Sequence, residues 1–169
     1  MKAQLSYDYY FALILFVIFI ASLFFRLITF FPAYSDVITT QRLRAEAYQI
    51  SEILVNDVGH PGNWHTDAPL FSNVKRLGLS DEIQNKTNLI ANVKTIAFDF
   101  LCETNYNRVL QLLDISDGFL VTIVKIKDPP ERFECLPAEV SARIRTEITR
   151  IVALNDGSFG NLTVSVWKR

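Results

Sequence analysis

The stretch Tyr9-Tyr10-Phe11-Ala12-Leu13-Ile14-Leu15-Phe16-Val17-Ile18-Phe19-Ile20-Ala21-Ser22-Leu23-Phe24-Phe25 carries no formal charge over seventeen residues. Arg26 follows, and then the apolar run resumes as Leu27-Ile28-Thr29-Phe30-Phe31. Seven of the thirteen Phe of the chain fall between Phe11 and Phe31. A bilayer core about 30 Å thick needs roughly 20 apolar helical residues. An Arg near the end of such a helix snorkels to the headgroups, so a span over about 9–31 is expected. A buried core helix is the bland alternative.

On the N-terminal side, Lys2-Ala3-Gln4-Leu5-Ser6-Tyr7-Asp8 precedes the span. A secretory signal is cut after its apolar core, at a small-x-small site. No such site follows this core, and the small residue beside a cation lies before it. Cleavage is therefore expected between Ala3 and Gln4, which leaves the apolar segment on the mature chain. Orientation is read from this site, with the N-terminus inside and residues from Ser35 onward extracytoplasmic. A strict count of Lys2 against Arg26, Arg42 and Arg44 favours the opposite topology. Asp8 needs an explanation, because a carboxylate at the edge of hydrocarbon costs several kcal/mol unless paired. The α-amine that cleavage would create on Gln4 of a neighbouring helix is one partner. The alternative is a headgroup-level Asp that only starts the helix.

Beyond Pro32 and Ser35 a different pattern begins. Val37, Ile38, Leu43, Ala47, Ile50, Ile53, Leu54 and Val58 recur at helical spacing with Arg42, Arg44, Glu46 and Glu52 between them, which predicts an amphipathic helix to about Asp57. Gly59, Pro61 and Gly62 end it. The apolar positions from Leu89 to Leu113 predict a second helix, broken near Thr104-Asn105. Phe119–Ile126, Ser141–Leu154 and Asn161–Trp167 read as strands, with a turn at Asn155-Asp156-Gly157-Ser158. Lys127–Pro137, with its Pro129-Pro130, is expected to be a loop that holds Cys135. Three late strands suggest an antiparallel meander. The fold class expected is thus α+β: a leader over 1–3, a long N-terminal helix over 4–58, and a head over 59–169 made of helices and a small antiparallel sheet.

The chain has 169 residues, net charge −1 and a pI near 6.1. With no basic stripe and no glycine-rich phosphate loop, nucleic-acid binding is not expected. The two cysteines, Cys102 and Cys135, fit an exported domain with one disulfide, or two buried free thiols. Asn85-Lys86-Thr87 and Asn161-Leu162-Thr163 are acceptor triplets for N-glycosylation if the head lies outside. His60 and His65 have only Asp67 as a plausible further metal ligand, so they read as loop histidines. Asp128, Glu131 and Glu134 form an acidic cluster read as a solvated loop, with calcium binding as the alternative. Ser6 has no local His partner. No catalytic residue, cofactor or metal site is expected, and the chain does not read as an enzyme.

The N-terminal constellation resembles the class III signal peptide of archaeal type IV pilin-like proteins. In that family a membrane aspartic prepilin peptidase cuts before a Gln, a Ser lies third and an acidic residue fifth. Counting Gln4 as one, Ser6 is third and Asp8 is fifth. Asp8 stands for the usual Glu, Ala12 for a common Leu at the ninth place, and Ala3 for the frequent Gly before the cut. Gly59-His60-Pro61-Gly62-Asn63-Trp64, then Arg76-Leu77-Gly78-Leu79-Ser80, then Tyr106 and Leu112-Leu113, with a closing strand ending in Trp167, resemble the ectodomains of the same family. The resemblance implies a subunit of a type IV pilus-like filament or of its assembly complex, closer to a minor pilin or pseudopilin. Its implied partners are other pilin-like subunits, the prepilin peptidase, an assembly platform protein and the membrane. The rival expectation is a membrane-tethered extracellular binding module that does not polymerise.

Overall fold

The computed structural model describes residues 2–68, 70–81, 83, 86–127, 129–137 and 144–168, with side chains described from residue 7 onward except at 32 and 33. Its elements are helix α1 (Lys2–Asn56), a 3-10 turn (Trp64–Asp67), strand β1 (Leu89–Ile90), helix α2 (Asn92–Leu112), and strands β2 (Gly118–Lys125), β3 (Arg132–Cys135), β4 (Arg145–Leu154) and β5 (Phe159–Trp167). The α+β class with a long N-terminal helix is as expected. The chain divides into two compact units, residues 1–39 and 40–169, so the last four turns of α1 belong to the core of the head.

Those turns show why the amphipathic pattern is there. Leu43, Ala47, Ile50, Leu54 and Val55 are buried, at the three- and four-residue steps that keep side chains on one helix face. They join one hydrophobic cluster with Trp64, Leu77, Leu79, Phe98, Leu101 and the inward residues of the sheet, Val152, Leu162, Val164 and Val166. On the flank, Glu52 accepts from Arg150 of β4 at 2.5 Å, and the Arg150 guanidinium lies 4.8 Å from the Tyr48 ring. That hydrogen bond holds the Glu52 carboxyl below its ordinary range.

A helix leaves its last carbonyls unpaired, and the sequence that follows α1 supplies the donors. Leu79 N–H reaches the Leu54 carbonyl at 2.8 Å, and Ser80 N–H reaches that of Asp57 at 3.0 Å. The Lys94 ammonium, itself buried, donates to the carbonyls of Val58 and Ser80 at 2.8 and 3.0 Å. The returning segment also pairs with the turn: His60 N–H bonds the Arg76 carbonyl at 2.9 Å, and Trp64 Nε1 donates to Gly78 at 2.9 Å. Gly59 takes φ +81°, a conformation that favours glycine. The two glycine-bearing motifs of the sequence are therefore halves of one clasp around the end of α1. Trp64 is fully buried beneath this clasp.

The break expected in the second helix is present. Asn105 has φ −152° and ψ 68° inside α2, and its Oδ1 accepts the Arg108 N–H at 3.1 Å, the geometry of an N-cap that restarts the helix. Tyr106, just beyond, stacks on Phe119 with ring centroids 5.4 Å apart and donates to the Phe119 carbonyl at 2.6 Å.

The sheet departs from the expected meander. Its order is β1-β4-β5-β2-β3, with β1 parallel to β4 and the other pairs antiparallel. The last strand, β5, lies between β4 and β2 over nearly its whole length. The stretch expected to be a loop over 127–137 contains β3, paired with β2 from Val124–Arg132 to Val121–Cys135. Pro129 and Pro130 precede this strand, where they break no ladder bond.

Cys102 and Cys135 form the disulfide, Cα atoms 5.1 Å apart and 33 residues apart in sequence, so the alternative of free thiols is set aside. It ties α2 to β3, and Asp99 of α2 accepts the Glu134 N–H at 2.9 Å beside it. The edge of β3 is thereby covered, as exposed strand edges in stable domains commonly are. Closing a loop of this length stabilises by about 3–4 kcal/mol on the chain-entropy account. Reduction should lower the head's unfolding free energy by about that amount, and a Cys102→Ala, Cys135→Ala variant read by denaturant titration checks it.

Candidate membrane and assembly helix

The first unit consists of helix alone. From Tyr7 to Phe31 every side chain is exposed except the half-buried Ile20. Its most apolar window has mean hydropathy 2.8, and none of that window is buried within the chain. A helix that is apolar all round belongs in a core or in lipid. By length and composition this helix is long and apolar enough to cross a membrane. The span over 9–31 measures roughly 34 Å at 1.5 Å per residue. Pro32 lacks the N–H that would reach the Ile28 carbonyl, yet the helix continues through it, as Pro permits in spanning helices. Thr29 turns its hydroxyl back onto the Phe25 carbonyl at 2.8 Å, which satisfies the one polar group between Arg26 and Pro32.

Asp8 sits on this helix with its side chain exposed. Tyr7, Tyr9 and Tyr10 surround it in sequence, and the Tyr9 and Tyr10 rings meet edge to face at 6.1 Å. This is the composition of an interfacial aromatic belt. Among the described side chains none pairs with the Asp8 carboxylate. Ala3 and Gln4 lie in the first turns of α1, and their side chains are outside the described residues. The seam of this helix is built from Phe, Leu and Ile, so close packing against another helix must interdigitate large side chains rather than use a small-xxx-small groove.

The other candidate residues are distributed across the head. Asn161 lies on β5 and is exposed, whereas Asn85 and Asp128 lie outside the described residues. His60 uses its backbone in the clasp, and the Asp67 carboxylate accepts the Asn73 N–H at 2.9 Å. Glu134 pairs with Arg132. Among the described residues no group of three His, Cys, Asp or Glu is placed to hold a metal.

Two lysines with no apolar signal in the sequence, Lys94 and Lys125, are buried. Lys94 closes the helix end as described. Lys125, at the end of β2, is 3% exposed and contacts Glu131 at 3.0 Å, Asp156 at 3.2 Å and the Phe133 ring at 5.6 Å. A charge taken out of water needs such partners; Glu131 comes from the adjoining β2–β3 connection, and Asp156 from the β4–β5 turn, 31 residues away in sequence. Glu131 is held below its ordinary range by Lys125. Asp156 is lowered to about 2, first by the Ser158 hydroxyl and N–H and then by Lys125. Because the folded value lies below the unfolded one of about 4, this stabilisation is full above that pH and is lost as pH falls towards 2. The acid unfolding curve of Asp156→Asn should be flatter than the parent's between about pH 4 and 2, and only modestly so, because the side chain is 40% exposed and screened by water.

No protein-family model, no curated protein and no solved structure matches this chain.

Proposed function

We propose that this chain is a structural subunit, of minor-pilin or pseudopilin type, of an archaeal type IV pilus-like filament or of its assembly complex. The observation that carries the reading is an apolar helix with no buried side chain in its most apolar window and a single carboxylate, Asp8, at its N-terminal edge. In lipid such a helix gains by packing against sister helices through interlocking side chains. Cleavage between Ala3 and Gln4 by a prepilin peptidase frees an α-amine about four residues, or roughly 6 Å along the axis, from Asp8. A neighbour displaced by that offset brings its amine to the carboxylate, and the pairing is strong where the dielectric is low. The membrane anchors the subunit with its head extracytoplasmic, an assembly platform protein extracts it, and its role is structural rather than catalytic.

Mass spectrometry of the N-terminus of the membrane-extracted protein tests this. The expected result is a mature chain that begins at Gln4 and cross-links to sister subunits through the 9–31 segment. An intact Met1 on a solitary species overturns the reading in favour of a tethered binding module.

A further inference from the structure

The outward face of the sheet is graded along its strands. Thr122, Thr163 and Thr149 form a row across β2, β5 and β4, with the Thr149 and Thr163 hydroxyls 3.0 Å apart. The next row towards the β4–β5 hairpin is Val124, Asn161 and Ile151. Beyond it, Phe159 opposes Ala153, and Ile126 donates its N–H to the Phe159 carbonyl at 2.8 Å. Ile126, Ile151 and Phe159 are 66%, 72% and 60% exposed. Residues two apart on a strand share a face, so Phe159, Asn161 and Thr163 stand in line on the outward side. An apolar patch on a surface calls for something that covers it, and at the centre of this patch is a glycosylation acceptor.

We propose that Asn161 carries an N-linked oligosaccharide whose first sugar lies over the Phe159 ring and shields the Val124–Ile126–Ile151–Phe159 patch. The inference rests on the extracytoplasmic placement of the head given above. The donor is a lipid-linked oligosaccharide activated through phosphate. Asn161 Nδ2 forms the bond to the anomeric carbon, the bond from that carbon to the phosphate oxygen breaks, and the phosphate leaves with the electron pair. The amide proton passes to a base of the transferase. Thr163 supplies the hydroxyl that makes the triplet an acceptor. A pyranose ring presents C–H groups on its flat face, and these meet the negative face of an aromatic ring.

The topology sets the order of events. In the finished sheet the backbone of Asn161 is fixed between Val124 and Ile151. The acceptor segment is free and extended only before β5 enters between β4 and β2. Transfer therefore precedes sheet closure, and the sugar, carried on an outward side chain, does not obstruct it.

The test uses the full chain purified from membranes of its producing cells. The tryptic peptide covering residues 151–168 should carry sugar on Asn161, and finding only the bare peptide overturns the proposal. Protease treatment of intact cells separates the two failures. A head cut from outside with Asn161 bare defeats the glycan alone, whereas a shielded head with Asn161 bare defeats the placement as well. The stacking is read by thermal unfolding. Glycosylated parent should melt a few degrees above Asn161→Gln, and that gap should close on a Phe159→Ser background. A gap of unchanged size in Phe159→Ser overturns the contact with the ring.

Discussion

Asp8→Ala should leave the head folded and the chain in the membrane, while its recovery with filament subunits falls by about 30- to 100-fold. Two effects act in the same direction. On the proposed membrane placement, Asp8 of an isolated subunit is a carboxylate beside hydrocarbon with no partner among the described side chains, so its removal makes the lone helix more comfortable in lipid. In the assembly, its removal leaves the neighbour's amine unpaired in a medium of low dielectric. A combined loss of about 2–3 kcal/mol corresponds to that change in association. Asp8→Glu should retain assembly and Asp8→Asn should lose most of it, since charge matters more than size. Chemical cross-linking in membranes followed by affinity recovery measures all three. Wild-type recovery of Asp8→Ala would remove the proposed pairing while leaving the membrane span intact.

The second large effect belongs to the head. A Cβ on Gly78 would sit 2.1 Å from the Asp57 carbonyl oxygen, 2.5 Å from its carbon and 2.6 Å from Gly59 nitrogen. All three are backbone atoms, so no side chain can swing away. Gly78→Ala must therefore push the returning segment off the end of α1. That movement breaks the bonds from Leu79 to Leu54, from Ser80 to Asp57 and from Trp64 to Gly78. The expected cost is about 3–4 kcal/mol, or a melting midpoint lower by roughly 10–15 °C for a domain of this size. Gly157→Ala is the control. Gly157 has φ +85° but nothing within 4 Å of an added Cβ, so only the backbone penalty of about 1 kcal/mol applies. Circular dichroism melts of both variants in detergent decide it. Equal midpoints for Gly78→Ala and the parent would show that the clasp yields.

The Gly78 clasp also shows how far local pattern carries. Gly59, Trp64 and Gly78 are conspicuous in the sequence, yet nothing in it says that the first two meet the third. The break at Asn105 was legible because Asn caps helices wherever they restart. β2 and β5 were legible from their branched residues, and the register of α1 from its apolar spacing. The strand at Arg132–Cys135 was hidden because two prolines stand beside it and only its pairing with β2 makes it a strand. The disulfide was one of two open readings until Cys102 and Cys135 were placed side by side.

The sequence alone determined that one segment is long and apolar enough to cross a membrane and that the helix continues into an amphipathic half. Both follow from the solvent preference and spacing of residues within a few turns of each other. Tertiary structure alone decided that β5 lies between β4 and β2, that Lys94 and Lys125 are buried, and that Asn161 stands amid exposed Phe and Ile. A lysine is written in the chain as a polar residue. It becomes part of the core only when the Val58 and Ser80 carbonyls, or the nearby Glu131 and the distant Asp156 carboxylates, are folded against it to replace its water.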